Sequence, residues 1–324
     1  MRVAVTGGCG FIGSHVVDHL VKAGHDVLVI DVRERWLNPE ADYVIADLFD
    51  TAALDVALDG REAVFHLAGA SDVNEVAADP VFALRLNVEG VGRVLDAARA
   101  RGCARVVLAS TVWVYGATVG DGERTEDAAV DLRRAGHLYV STKLAAEMIM
   151  HSYHEMYGQE FTILRYGIPY GPRMRDALVV AKFVSAAKEG KPITIAGTGD
   201  QQRNFVYVQD LAEAHVLALS PAAVNQTLAL EGGTPVTVAE IAETVQHLIR
   251  EVPVVHVPDR LADYDGLNIS NRLAKELLNW SPTTPLAEGI GRYLEWLDTK
   301  GLDTKALDTT VFDTTVFDTT GGGR

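Results

Sequence analysis

Positive charge is in short supply. The 324 residues carry 29 Lys plus Arg against 44 Asp plus Glu, a formal net charge of −15. A nucleic-acid or anionic-membrane surface needs a basic face, so neither partner is expected, and an anionic ligand would need arginines placed locally. Cysteine is scarcer still. The two cysteines, Cys9 in a glycine loop and Cys103 ahead of a strand-like run, are too few and too badly placed for a disulfide framework, which points to a reducing compartment. No apolar run approaches the length that spans a bilayer, and no signal pattern precedes the first strand-like run at residue 2. The expectation is a cytoplasmic chain without a metal site, long enough to bury a substantial core in one large domain or two modest ones.

What is present begins with the loop Thr6-Gly7-Gly8-Cys9-Gly10-Phe11-Ile12-Gly13. It follows the apolar run Val3-Ala4-Val5 and opens a helical pattern through Val16, Val17 and Leu20. Glycines at 7, 10 and 13 allow a tight turn, a close backbone approach to a pyrophosphate, and close packing of the helix on the sheet. The free N–H groups at the helix start then face the phosphates. About 20 residues on, Asp31 ends the next apolar run, where the ribose hydroxyls of a dinucleotide would lie. A carboxylate there accepts from both hydroxyls and repels a 2′-phosphate, which favours NAD over NADP.

Strand-like runs recur at 27–31, 43–46, 63–67, 105–110, 161–165 and 227–231, with helical patterns between most of them, including 80–101 and 139–157. This alternation predicts an α/β fold, a Rossmann-type doubly wound parallel sheet, with a smaller C-terminal substrate-binding domain. In the first crossover pattern Leu84, Val88, Val91, Val94 and Leu95 share one side. Asp47 follows the third strand, at the edge where an open α/β sheet binds its ligand, and suits an adenine contact. Beyond Arg165 the texture changes: a helix is expected over 176–188, a glycine-containing turn over 195–199 and a strand over 204–208. The domain reading is 1–165 for the dinucleotide part with 206–235 returning to it, 166–205 and 236–297 for the substrate part, and a repetitive tail over 298–324. That tail repeats with a period of five from Trp296, a period that fits neither a helix face nor strand alternation.

Tyr139 and Lys143 stand four apart at the start of a helical pattern, so their side chains share one face. A tyrosine near pKa 10 is a poor base at neutral pH and needs a cation beside it, a task for Lys143. Such a phenolate could take the proton of a sugar hydroxyl while the carbon gives up hydride. Ser110-Thr111 ends the preceding strand, where hydroxyls would reach the same place.

Several segments are similar to the extended short-chain dehydrogenase/reductase family, and within it to the nucleotide-sugar epimerase/dehydratase group of the UDP-glucose 4-epimerase type. They are the glycine loop, His66-Leu67-Ala68-Gly69, Asn87-Val88-Glu89-Gly90, Ser110-Thr111, Tyr139-Val140-Ser141-Thr142-Lys143, Leu164-Arg165-Tyr166 with Tyr170-Gly171-Pro172, and Arg203-Asn204-Phe205-Val206-Tyr207-Val208 with Asp210. The match runs in order over about residues 1–297. The resemblance implies Tyr139 as acid/base, Lys143 on the nicotinamide ribose, and Thr111 bonded to the sugar hydroxyl being oxidised. It implies that Gly7, Gly10, Phe11, Ile12 and Asp31 line the NAD, with Asp47, Leu48, Leu67, Ala68, Gly69 and Asn87 completing the lining. It assigns Arg203, Arg260 and Asp263 to the diphosphate and ribose of the nucleotide, a task that guanidinium forks suit. A homodimer joined through the 80–101 and 139–157 helices is implied as well.

Two departures from that pattern are informative. The group's dehydratases carry an Asp-Glu pair after the strand-end threonine, and this chain has Val112-Trp113, so the acid and base of an elimination are missing. Many of its decarboxylases have a glutamate where Trp113 stands. Trp113 would instead fill space beside the sugar, with Ser71 facing the same position. An asparagine usual after the sixth strand is replaced within Gly167-Ile168-Pro169. The reading is an NAD-dependent nucleotide-sugar 4-epimerase working through a transient 4-keto sugar with retained NADH, a UDP-sugar being the substrate. The alternatives are decarboxylation of UDP-glucuronate, reduction of a nucleotide keto-sugar and, from another class, a non-catalytic dinucleotide-binding protein.

Overall fold

The computed structural model describes residues 1–119, 122–258 and 267–303, with side chains to 299. Twelve strands lie among the described residues. In chain order they are β1 (Arg2–Thr6), β2 (Asp26–Asp31), β3 (Asp42–Ile45), β4 (Ala63–His66), β5 (Arg105–Thr111), β6 (Glu160–Tyr166), β7 (Ile168–Tyr170), β8 (Ile193–Ala196), β9 (Gln202–Tyr207), β10 (Gln226–Leu230), β11 (Pro235–Thr237) and β12 (Val254–Val257). Seven of them form one sheet in the order β10-β6-β5-β4-β1-β2-β3, every pair parallel. This is the Rossmann-type sheet expected from the sequence. The order reverses beside β1, where β2 pairs on one side and β4 on the other, so the loops after β1 and β4 leave the sheet together at the place where such folds bind ligands.

Alternation along β1 divides the interior. Val3 and Val5 face a core shared with the helices Phe11–Lys22 and Val208–Leu217, while Ala4 faces the core under Thr51–Leu58, Gly90–Ala100 and Leu138–Tyr157. Another core gathers Tyr170, Phe183, Val184, Ile193, Ile195, Ile241, Val245 and Ile290. Around it β7, β9 and β11 make a three-stranded sheet and β8 pairs with β12. Asp210, in the first turn of the helix Val208–Leu217, holds the segment 280–284. Its carboxylate accepts from the backbone N–H and hydroxyl of both Thr283 and Thr284 at 2.9–3.2 Å, and its carbonyl accepts from Trp280 Nε1 at 2.8 Å.

Local differences from the expectation have physical causes. The turn expected over 195–199 starts later, because Ile193 and Ile195 alternate inward with exposed Thr194 between them and make β8. The helix expected from 176 begins at Val179, since Leu178 is extended at φ −74°, ψ 147°. The expected 80–101 helix is interrupted by a wide π turn at Arg85–Glu89. One extra residue in a turn rotates the segment before it relative to the segment after it. Leu84 is therefore 44% exposed while Val91, Val94 and Leu95 are buried. The last helix runs Leu286–Asp303, into the expected tail, because Trp296 packs on Tyr293 and Trp36 and Leu297 touches the core around Tyr170 and Ile241.

Candidate active site

The glycine loop is held by contacts that leave no room for a side chain. Gly7 has φ +74°, and a Cβ there would lie 2.6 Å from Ala68 N; one at Gly13 would lie 2.1 Å from the Gly7 carbonyl oxygen. The first contact presses the β1 loop onto the β4 loop, and the second brings the helix start over the turn. Gly10 N donates to Gly7 O at 3.0 Å and Ser14 N to Gly10 O at 3.0 Å. Phe11 and Ile12, half-buried, begin the helix. Asp31, buried at the end of β2, accepts from Cys9 N at 3.0 Å and Arg33 N at 3.1 Å. Each carboxylate oxygen keeps a further lone pair for a hydroxyl.

The β4 loop is braced from behind. His66 Nδ1 and Thr6 Oγ1 are 2.7 Å apart, and burial drops the His66 pKa to about 3, so the imidazole is neutral. Asn87, in the π turn, accepts from Ala70 N at 2.8 Å and donates from Nδ2 to Ala70 O at 2.9 Å and to Thr142 Oγ1 at 3.0 Å. These bonds tie Leu67, Ala68 and Gly69 to the helix Leu138–Tyr157. A Cβ on Gly69 would come within 2.9 Å of Asn87 Oδ1 and 3.5 Å of Lys143 Nζ, so the ammonium lies against this loop. Leu48 is buried in the sheet's second core, whereas Asp47 is exposed with Oδ1 accepting from Phe49 N.

At the carboxyl end of β5 the Thr111 hydroxyl interacts with the Tyr139 phenol and accepts from Trp113 N at 3.2 Å. Burial pushes the Tyr139 pKa up to about 12; Thr111 and the more distant Arg175 guanidinium act the other way. Lys143 does not reach the phenol in this arrangement. Its Nζ donates to Ala109 O at 3.0 Å, because the side chain one helical turn on points at the β5 backbone. Burial lowers the Lys143 pKa to about 8, with Glu147 opposing. Glu147, one turn further along, hydrogen-bonds Ser110 Oγ and forms a two-pronged ion pair with Arg165, Nη2 to Oε2 at 2.8 Å and Nε to Oε1 at 3.1 Å.

Trp113 stands edge-on to Tyr139 at 6.3 Å and to His137 at 5.2 Å between ring centres, and His137 stacks over Tyr139 at 6.1 Å and 16°. Behind Trp113 lies a small cavity also lined by Ile168, Arg203, Asn204 and Glu231. Arg203 is buried on β9. Ser71 is exposed on the β4 loop. Arg260 and Asp263 lie outside the described residues. Sequence reasoning missed three groups: His137, Glu147 and Glu231. The i+4 step from Lys143 to Glu147 was the one available signal.

The model of the NAD dependent epimerase/dehydratase family matches residues 3–228. The chain belongs to that family. It is an NAD-dependent enzyme of the extended short-chain dehydrogenase/reductase type, as the sequence motifs implied. It is 31% identical over 316 residues to a UDP-glucose 4-epimerase of Mycolicibacterium smegmatis, covering 93% of this chain and 99% of that one. It is 32% identical over 307 residues to UDP-glucuronic acid decarboxylase 6 of Arabidopsis thaliana, covering 90% and 87%. Among solved structures, the Thermus thermophilus UDP-glucose 4-epimerase in complex with NAD superposes with a TM-score of 0.82 at 30% identity, over 92% of this chain and 99% of that one. The cradle fits the cofactor this family uses. The side-chain-free faces of Gly7 and Gly13, the Asp31 carboxylate and the Lys143 ammonium against Gly69 suit a pyrophosphate, a ribose diol and a second ribose.

Proposed function

We propose that the chain is an NAD-dependent nucleotide-sugar 4-epimerase, with a UDP-sugar as substrate. The observation that carries the reading is the joining of Thr111, Tyr139 and Lys143 to the glycine cradle through the Gly69 loop, with Val112-Trp113 where an elimination would need an acid and a base. In this reading Gly7, Gly10, Phe11, Ile12 and Asp31 hold the adenosine diphosphate half of NAD, with Asp47, Leu48, Leu67, Ala68 and Asn87 shaping the pocket around it. Bound NAD supplies a hydride acceptor that can return the hydride to either face of C4. Tyr139 takes the proton from the 4-hydroxyl and gives it back, and Thr111 orients that hydroxyl. A phenol that burial holds near pKa 12 needs added positive charge to ionise at neutral pH, and Lys143, freed from Ala109 and turned to the ribose, would help supply it. Trp113 closes one side of the sugar, Ser71 borders it, and Arg203, Arg260 and Asp263 serve the diphosphate and ribose of the nucleotide.

We read the cores on the two faces of the main sheet as a dinucleotide part and the core around Tyr170, Phe183 and Ile241 as a substrate part, and the chain as a cytoplasmic homodimer. The dimer is supported by apolar side chains exposed on the two helical segments named from the sequence: Val81, Phe82 and Leu84 on one, Met148 and Met156 on the other. Sedimentation velocity tests it. The catalytic reading is tested by NMR analysis of products from UDP-glucose, UDP-galactose and UDP-glucuronate without added cofactor. Inversion at C4 with every carbon retained is expected, and loss of C6 as carbon dioxide would move the assignment to a decarboxylase. Tyr139→Phe should abolish turnover and leave NAD bound; unchanged turnover would sink the mechanism.

A further inference from the structure

Glu231 is the first residue past β10, and nothing in the reaction above uses it. It is 4% exposed. Asn271 clamps its main chain, accepting from Glu231 N at 2.8 Å and donating to Glu231 O at 2.8 Å, so the side chain has a fixed root. The carboxyl lies over Gly167, where a Cβ would come within 3.0 Å of Glu231 Oε1. The backbone after β6 thus leaves space that the carboxyl fills. Yet Glu231 Oε2 is buried with no hydrogen-bond partner among the described residues. Burial pushes the Glu231 pKa up to about 8, the Gly232 amide opposing, so the neutral acid prevails at pH 7.

A buried polar atom without a partner is penalised, and one that persists beside a cavity suggests a ligand that completes it. Glu231 lines the cavity beside Trp113, together with Ile168, Arg203 and Asn204; its volume of about 10 Å³ admits one hydroxyl-sized group. The indole of Trp113 in turn meets the Tyr139 ring. The unpaired carboxyl is therefore in the wall of a space one aromatic ring away from the reacting phenol.

We propose that Glu231 is a specificity-determining residue whose carboxyl hydrogen-bonds a hydroxyl of the sugar in a bound nucleotide sugar, a role that rests on the nucleotide-sugar reading above. A neutral carboxyl both donates and accepts, as a hydroxyl does, so the two can exchange a pair of bonds. A site built this way discriminates against a ligand that lacks the hydroxyl, because its own polar atom is then left unpaired. Bare UDP would leave Glu231 in that state, and UDP-glucose would not.

Calorimetric titration of the NAD-loaded enzyme with UDP and with UDP-glucose tests this, in a Tyr139→Phe background that prevents turnover. Glu231→Leu should shrink the affinity that glucose adds over UDP by about tenfold or more, with UDP itself changed by less than about twofold. Glu231→Gln, which keeps a donor and an acceptor and nearly the same shape, should stay within about threefold of its parent. The inference is overturned if Glu231→Leu keeps the glucose increment within about twofold, or if UDP and UDP-glucose weaken in step, which would make the carboxyl a scaffold part. The two readings fail separately. Enzyme with Tyr139 intact that leaves UDP-glucose, UDP-galactose and UDP-glucuronate unconverted, with the increment lost in Glu231→Leu, refutes the epimerase and keeps the sugar contact. Conversion with an unchanged increment does the reverse.

Discussion

Lys143 should make the cofactor-free protein less stable than a neutral residue would. The residue is 8% exposed, and its ammonium donates to Ala109 O at 3.0 Å, its one hydrogen bond among the described residues. Burial lowers its pKa from 10.5 to about 8. That difference corresponds to about 3 kcal/mol of native-state penalty at neutral pH. Lys143→Met keeps a long apolar side chain and gives up the hydrogen bond, worth about 1 kcal/mol. Net stabilisation of about 2 kcal/mol at pH 7 is expected, with loss of turnover. The sign comes from proton counts. Below the folded-state pKa of about 8, both states hold the proton and the penalty is complete. Between about 8 and 10.5 the unfolded lysine binds more protons than the folded one, so wild-type stability climbs and the variant's advantage shrinks; above 10.5 it is gone. Urea unfolding of NAD-stripped protein, at neutral pH and again near the unfolded-state pKa, reads both. A variant no more stable than wild type at neutral pH, or an advantage that does not shrink as pH rises, would refute the reasoning.

Two more substitutions probe the site. Glu147→Gln leaves the buried Arg165 guanidinium without its counter-charge and should destabilise by about 3–5 kcal/mol in urea unfolding; a loss below about 1 kcal/mol would mean the pair is solvated. Gly13→Ala puts a methyl against the Gly7 carbonyl, a clash that backbone must relieve, so NADH fluorescence titration should show affinity falling at least about tenfold with a destabilisation of about 1–3 kcal/mol. Affinity within about twofold of wild type would show that the loop carries no cofactor phosphates.

The sequence disclosed whatever is local. A glycine turn between an apolar strand and a helix, a strand-end Asp31, and Tyr139 one turn from Lys143 are short-range patterns, and the fold delivers them to one sheet edge. What it concealed depends on distant partners. The link between Ser110, Glu147 and Arg165 joins two strands to a helix, and the orphaned oxygen of Glu231 exists only once β10, Gly167 and Asn271 have met. The π turn hides for another reason: its extra residue obeys no fixed period, so Leu84 reads as inward and lies outward.

The place of β10 in the main sheet bears on how the protein can be divided. Residues 226–230 pair with β6 and cover its outer edge, although the chain has by then passed through the core around Tyr170 and Ile195 and returned. A fragment stopped at residue 165 would hold the glycine loop, Tyr139 and Lys143, yet it would present β6 as a bare parallel edge of Phe161, Ile163 and Leu164. Exposed apolar edges recruit other chains. Expressed alone, the first half is therefore expected to aggregate more readily than the intact chain, a difference that light scattering at matched concentration reads.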